Sequence, residues 1–233
     1  MRISKKDAPA IDAGNVKRWS RDCKATVPLG EFSRDGLTRS DVKACDHDLG
    51  SQATYIPCGL VDEDTGQLSL TFGRAAKTSD FIVDTVEARW RALPPPEQRA
   101  TAQLQLKMDN GPESSGTRTQ FLYRMVQFAD QIGKPLQLLY SPPYHSKYNP
   151  IERGWGVLEL PWTGTLVRDV DTMLAWAQRM TGKGRAPVAE LSHKVYQRGI
   201  TVGKKAMRAV ECRLERHPEL PKWDILIRPA TPD

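Results

Sequence analysis

The sequence lacks long apolar runs and has few cysteines, which excludes several classes of protein. No segment approaches the ~20 consecutive apolar residues that cross a bilayer, and residues 1–20 have no apolar core of a secretory signal. The four cysteines form no CxxC pair, which argues against a disulfide framework or a ready zinc site. These absences predict a cytoplasmic protein with reduced thiols and no membrane partner.

Positive charge is in modest excess along the chain. The sequence has 34 Lys and Arg against 28 Asp and Glu, a formal net charge of +6. Such a balance favours a polyanionic partner through electrostatic steering and counterion release. Many basic proteins never contact nucleic acid, so the charge alone does not identify the partner. The 233 residues are enough to bury a core without disulfides.

Strand and helix patterns alternate along most of the chain. A hairpin is predicted from two strands at 54–61 and 67–72, joined by the turn at 62–66. The alternation predicts an α/β fold with a mixed sheet. The other predicted strands are 16–23, 104–108, 136–140 and 223–227; the predicted helices run from Thr78 or Ser79 to the prolines 94–96, where a linker follows, and over 117–132, 167–180 and 204–217.

Three carboxylates stand where a strand ends or a helix begins. Asp22 follows the first strand, Asp109 follows the strand at 104–108, and Glu152 falls in the first turn of a helix for which Asn149 is the expected N-cap. Two Mg²⁺ ions about 4 Å apart, held by such oxygens, can stabilise the attacking and leaving oxygens of a phosphodiester. Taken singly, Asp109 also suits a turn, Glu152 a capping box and Asp22 a solvated surface. The combination favours a metal site.

Six strings, all in the same order, carry a resemblance to a known family. The chain resembles the Rhodopirellula-type family of insertion-sequence DDE transposases, which is similar to the wider mariner-like group, from about Asp22 to Ile227. The strings are DCKATVPLGEFSR (22–34), KACDHD (43–48), TSDFIVD (78–84), DNGPE (109–113), RTQFLYRMVQFAD (118–130) and YSPPYHSKYNPIERGWGVLE (140–159).

The resemblance implies a fold and a division of the chain. The expected fold is a ribonuclease H-like mixed sheet flanked by helices, with a helical C-terminal extension. Residues 1–15 would be a disordered or residual segment, 16–165 the DDE catalytic domain, and 166–233 the helical extension packed on it.

The resemblance also implies an activity, which is metal-dependent DNA cleavage and strand transfer of an insertion sequence. The metal-binding and catalytic triad falls on Asp22, Asp109 and Glu152, the last two 43 residues apart. Asp22 and Asp109 would hold the metals and Glu152 would complete one site, with Mg²⁺ as the ion and Mn²⁺ able to substitute. The expected partner is DNA, handled by at least a homodimer in a nucleoid-associated complex.

Side chains around the triad are candidates for DNA contacts. His145 can equally serve a loop hydrogen bond, and for Tyr144 and Tyr148 core packing is favoured over base stacking. A turn is favoured over a metal site for Asp46-His47-Asp48. For the helix predicted at 204–217, a solvated face is favoured over DNA binding by its basic residues Lys204, Lys205, Arg208, Arg213 and Arg216. The residues predicted to contact the scissile phosphate are Asn110, His145, Lys147, Asn149 and Arg153.

The chain departs from the family pattern in three places. Trp19-Ser20-Arg21 precede Asp22 where apolar residues are usual, and Gly182 stands where the pattern has tryptophan. Family members carry a helix-turn-helix region where this chain has only about 20 residues, so we expect that it does not select its DNA ends alone. The alternatives to an active transposase are a truncated, inactive remnant that binds DNA and another ribonuclease H-like nuclease.

Overall fold

One mixed sheet carries the described strands of the computed structural model, which describes residues 15–24, 26–29, 53–74, 76–141, 149–152, 154–155, 169–180 and 185–230. The spatial order of the strands is β7-β4-β3-β1-β5-β6-β9-β8, and β2 pairs with β3. In chain order they are β1 (Asn15–Cys23), β2 (Val27–Leu29), β3 (Ala53–Asp62), β4 (Leu68–Arg74), β5 (Thr101–Asp109), β6 (Leu136–Ser141), β7 (Val188–Ser192), β8 (Leu214–Arg216) and β9 (Asp224–Ile227).

Helices α1 and α3 cover one face of this sheet. The hydroxyl of Thr78 accepts a hydrogen bond from the Phe81 N–H and so starts α1, while Gly133, at φ 62°, ends α3 in the left-handed region. Their apolar sides form one buried core with the central strands. The helices are α1 (Ser79–Arg91), α2 (Pro95–Ala100), α3 (Thr119–Ile132), α4 (Val170–Arg179) and α5 (Lys204–Glu211), and residues 151–152 and 154–155 are also helical.

The central strands bring two strand ends together. β1 pairs antiparallel with β3 and parallel with β5, and β5 pairs parallel with β6. Side chains alternate across β1, so Trp19 and Cys23 lie in the core under α1 and α3, and Ser20 and Asp22 lie on the opposite face. The carboxyl ends of β1 and β5 therefore meet at one edge of the sheet.

Most predicted elements are confirmed, including the α/β class with a mixed sheet, the hairpin and the first strand. Two predictions are wrong. The residues after Pro94 form α2 rather than a linker, because Pro95 and Pro96 occupy first-turn positions that need no N–H donor. The helix predicted at 204–217 ends at Glu211, and Leu214 begins β8 because its side chain is buried opposite Ile227.

The C-terminal residues contribute to the sheet as well as to the helical layer. The extension expected to be helical supplies α4 and α5, but also β7, β8 and β9. Strand β7 pairs with β4 and strand β9 with β6, so the extension joins the sheet at two places. In the described ranges, no helix combines the length and apolar character needed to cross a membrane.

Candidate active site

Asp22 and Asp109 lie side by side at the carboxyl ends of β1 and β5. The parallel register pairs Arg21 with Met108, so the next residue of each strand is an aspartate. Met108 and Cys23 belong to the core under α1 and α3, and alternation places both carboxylates on the other face of the sheet. The structure therefore brings together two of the three predicted carboxylates.

The surroundings of Asp109 are unfavourable for an isolated negative charge. Burial raises the pKa of Asp109 above its ordinary value of 3.8, and the charge of Asp22 raises it further. The Arg21 charge, a hydrogen bond with Asn149 and the Lys77 charge act in the opposite direction without cancelling these effects. Its Oδ1 is buried and has no hydrogen-bond partner among the residues described.

This pair of carboxylates fits a hard cation. Two adjacent carboxylates repel each other, and a buried oxygen without a partner loses its hydration. A divalent ion such as Mg²⁺ removes both costs and prefers carboxylate oxygens. The donor set at the ends of β1 and β5 thus has the chemistry that a divalent metal requires.

A fully buried serine fixes the segment that carries Glu152, which we call the Glu152 segment (residues 149–152 and 154–155). The Ser20 hydroxyl donates to Asn149 Oδ1 and accepts from the Ile151 N–H at 3.0 Å. Asn149 was expected to cap this helical turn with its side chain. The Ser20 hydroxyl of β1 takes that place, because it accepts the hydrogen bond from the Ile151 N–H. The Asn149 amide nitrogen donates instead to the Arg21 carbonyl at 3.4 Å.

Trp155 makes a second connection between this segment and β1. Its indole N–H donates to Asp22 Oδ2 at 3.0 Å, and its ring is 1% exposed. The ring lies over Gly59, the β3 partner of Asp22, where an added β-carbon would be 2.8 Å from two ring carbons. Glycine at this position therefore allows the tryptophan to reach the aspartate.

Glu152 does not complete a three-carboxylate cluster. Across the described ranges, no three Asp, Glu, His or Cys side chains are close enough to hold a metal ion. Through Ser20 and Trp155, the backbone around Glu152 is nevertheless held beside the strand that ends at Asp22. Its helical position in the first turn agrees with the prediction.

The predicted DNA-contacting residues have different locations. Asn110 is exposed, and its side-chain oxygen accepts from the Gly116 N–H at 3.2 Å, closing the loop after β5. Asn149 is only 2% exposed and its amide is bonded inside the protein, and its DNA contact stays a prediction. His145, Lys147 and Arg153 lie outside the described residues, as do Tyr144, Tyr148, Asp46-His47-Asp48 and Gly182.

In the sequence, Trp19-Ser20-Arg21 stand out only as a departure from the family pattern. The contacts that Ser20 and Arg21 make around the site were not predicted. Arg21 is 2% exposed and donates to Ser114 Oγ at 3.1 Å and Cys23 Sγ at 2.9 Å, which ties the end of β1 to the loop after β5. One signal was available for Ser20, because a residue two positions before Asp22 on a strand shares its face. No local pattern pointed to Trp155.

Two of the basic residues that were predicted on the C-terminal helix lie beyond its end at Glu211 and have structural partners. Arg213 pairs with Asp130 and Arg216 donates to the Gly116 carbonyl at 2.7 Å, so both stabilise the fold. Lys204, Lys205 and Arg208 on α5 are exposed. The preference for a solvated face at this helix stays a prediction for these three.

Comparisons with solved structures give distant matches. A chain of the Mos1 strand transfer complex is 10% identical with a TM-score of 0.46, and the match covers 70% of this chain and 45% of that chain. A chain of the simian T-cell lymphotropic virus intasome in complex with PP2A regulatory subunit B56 gamma is 13% identical with a TM-score of 0.41, covering 88% of this chain and 84% of that one. The chain therefore spans less than half the length of the Mos1 chain that it matches.

The family comparison covers almost the whole chain. No curated protein matches it. A protein-family model described as "Rhodopirellula transposase DDE domain" matches residues 2–229. The sequence-based identification as a DDE transposase domain of the Rhodopirellula type is confirmed. The chain belongs to the Rhodopirellula transposase DDE-domain family.

Proposed function

We propose that this chain is the catalytic domain of a DNA transposase, and that it cleaves and transfers DNA strands of an insertion sequence. The catalytic residues in this proposal are Asp22, Asp109 and Glu152. The observation that carries it is the pair Asp22 and Asp109 at adjacent parallel strand ends, with a buried Asp109 oxygen that lacks a partner in the described chain. Family membership supports a divalent-metal activity on DNA of this general type.

The residues of the site would hold divalent ions, Mg²⁺ in the cell with Mn²⁺ as a substitute. Such ions activate an attacking oxygen and stabilise a leaving oxygen in phosphoryl transfer. Asp22 and Asp109 supply the closely spaced oxygens, and Trp155 orients the Asp22 carboxylate through its indole N–H. Glu152 enters as a further ligand from the segment that Ser20 fixes beside β1.

The first test is metal binding measured by calorimetric titration of Mn²⁺ into the purified chain. We expect the wild-type chain to bind Mn²⁺ and Asp109→Asn to bind it at least about tenfold more weakly. Loss of a group that only orients a metal ligand already lowers metal affinity by about 10–100-fold, and Asp109 is itself a proposed ligand. At a Mn²⁺ concentration of about 100 times the wild-type Kd, the wild-type free energy of unfolding should rise by about 2.7 kcal/mol, and that of the variant by no more than about 1.4 kcal/mol. Asp171→Asn is the matched control because Asp171 is exposed on α4.

Cleavage is measured separately as Mn²⁺-dependent nicking of a supercoiled plasmid. We expect nicking by the wild-type chain and by Asp171→Asn, and none by Asp22→Asn, Asp109→Asn or Glu152→Gln. Nicking that survives all three substitutions contradicts the triad. Metal binding without nicking of DNA favours the inactive remnant, and nicking of RNA–DNA hybrids alone favours another ribonuclease H-like nuclease.

We also propose that the active complex contains at least two copies of the chain, because two element ends must be processed together. The +6 charge supports a polyanionic partner but not a particular stoichiometry. Light scattering on the DNA-bound chain gives the mass of the complex. A complex that contains one copy of the chain and one DNA end at every protein concentration would contradict this proposal.

A further inference from the structure

A cleft opens beside the start of α1, at the end of the sheet where the two aspartates lie. Its volume is about 390 Å³, and its walls are the start of α1, the loop after β5 and the turn at 197–200. The Ser79 hydroxyl donates to the Glu113 carbonyl at 2.7 Å, so two of these walls are fixed to each other. We name it the basic cleft after Lys77, Arg118 and Arg198, which line it.

Positive charge exceeds negative charge among the described residues that line the basic cleft. The lining acids are Asp80 and Glu113, and Asp80 already forms an ion pair with Arg124 at 2.6 Å. Lys77, Arg118 and Arg198 have no ion-pair partner within the described ranges, and the Arg118 Nε is buried without a hydrogen-bond partner there. The N-terminal end of α1, a helix of 13 residues, adds partial positive charge. The chemistry of the cleft therefore suits a phosphate group.

Lys77 connects the basic cleft to the aspartates. A β-carbon added at Gly111, two residues after Asp109, would lie 3.9 Å from Lys77 Nζ. Lys77 thus lies between the basic cleft and the loop that follows Asp109.

We infer that the basic cleft binds the phosphate backbone of the DNA strand that enters the Asp22 and Asp109 site, through Lys77, Arg118 and Arg198. This inference rests on the proposed function, because it takes the occupant to be the DNA that the site processes. A free phosphate ion has the same group chemistry as a backbone phosphate. DNA is favoured because the three cations line one cleft, and one of them, Lys77, lies beside the loop that follows Asp109, so that successive phosphates of one strand can meet them.

The test is the salt dependence of DNA binding, measured by fluorescence anisotropy of a labelled duplex in buffer containing a metal chelator. The variant Lys77→Gln/Arg118→Gln/Arg198→Gln removes the charges of the basic cleft. The matched control Lys204→Gln/Lys205→Gln/Arg208→Gln removes the same charge from exposed positions on α5. We expect the slope of log affinity against log salt to become shallower by roughly three for the cleft variant, since each lost phosphate contact reduces it by about one. The control should keep the wild-type slope.

Each outcome decides one question. If the wild-type chain binds DNA and the cleft variant keeps its slope, or the α5 variant loses as much, the basic cleft is not the DNA path and the proposed function is untouched. If the wild-type chain neither binds the duplex nor nicks plasmid DNA with Mn²⁺, the proposed function fails. Competition by inorganic phosphate at the cleft without any DNA binding there would overturn DNA as the occupant.

Folding of the triple variant is checked by urea unfolding. Should it not fold, Arg198→Gln replaces it, because Arg198 lies on an exposed turn next to Gly199. The expected change of the salt slope is then about one, compared with no change for Arg208→Gln. Equal slopes for these two single variants would overturn the inference.

Discussion

Among single residues, Trp155 has the clearest effect on the candidate metal site without being a candidate ligand. Its N–H donates to Asp22 Oδ2, and its ring occupies the space that Gly59 leaves open. A hydrogen bond to one oxygen of the Asp22 carboxylate restricts rotation of the group and leaves the other oxygen available to a metal ion. Partners of this kind affect metal affinity because they hold a ligand in one orientation. We therefore assign Trp155 as a positioning residue.

Trp155→Phe tests this role. Phenylalanine fills much of the same space but has no N–H, so we expect Mn²⁺ affinity to fall by about 10–100-fold, the range for lost outer contacts of a ligand. The affinity is measured by calorimetric titration, together with the free energy of unfolding. Trp90→Phe is the matched control, because Trp90 belongs to α1 and is buried against Trp19, on the sheet face opposite Asp22. Equal metal affinity in both variants would show that the indole bond to Asp22 has no such role.

The residue scale also shows what a sequence can reveal about a site. Asp109 was predictable because a strand pattern ends directly before Asp-Asn-Gly-Pro, and the adjacent strand end at Asp22 followed from the resemblance. Ser20 and Trp155 were not, because their partners lie 131 and 133 residues away in the chain. Contacts over such distances depend on how strands pair and pack, which local patterns do not encode.

At the scale of elements, the hairpin of β3 and β4 is held to β1 by a buried charge. Asp62, at the end of β3, accepts from the N–H groups of Asp64 and Thr65 within the turn. Its other oxygen is 2.5 Å from Lys17 Nζ, and Lys17 also pairs with Glu97 at 2.5 Å. Burial acts to raise the pKa of Asp62, but hydrogen bonds from Lys17 and Thr65 outweigh it and hold the pKa below 3.8.

Asp62→Asn should destabilise the chain at neutral pH by roughly 1.5–3 kcal/mol, the range for a hydrogen bond to a charged group, because Glu97 still faces Lys17. The lowered pKa means that this stabilisation is present above 3.8 and is lost as the pH falls through the folded-state pKa. The difference between wild type and variant should therefore shrink as the pH falls below 3.8 in urea unfolding. Asp64→Asn, in the same turn but exposed, is the control. A difference that stays constant over this range would contradict the role of the Asp62 charge.

Elements were predictable where pattern and turn chemistry agreed. The hairpin, α1 with its Thr78 cap and α3 with its Gly133 end each combine an apolar period with a specific end signal. The helix predicted at 204–217 is too long because the helical spacing of apolar residues in the sequence continues past Glu211. In the molecule, Leu214 gains more by burial in the sheet against Ile227 than by continuing an exposed helix. Tertiary packing decided this boundary over local propensity.

At the scale of the whole molecule, the C-terminal residues contribute to both cores of the sheet. Ile225 of β9 pairs with Leu138 of β6 and is fully buried with α3 above it. Met173 and Ala177 of α4 pack in the second core with Ile151 and Trp155 of the Glu152 segment. The predicted division at residue 165 remains a prediction about the family's domains, but these contacts join both sides of that position physically.

We therefore expect the chain to unfold as one cooperative unit, and Ile225→Ala tests this. Deleting buried methyl groups at Ile225 should cost about 2–5 kcal/mol, whereas Val188→Ala, at a valine that is 58% exposed, should stay within about 0.5 kcal/mol. The loss should lower the midpoints of far-ultraviolet circular dichroism and of tryptophan fluorescence equally, and the calorimetric enthalpy should match the van't Hoff enthalpy. The fluorescence includes Trp155 of the second core, whereas Ile225 lies in the first, so a parallel shift means that the two cores unfold together. Two separate transitions, with only one shifted by Ile225→Ala, would show instead that the extension unfolds independently of the central strands.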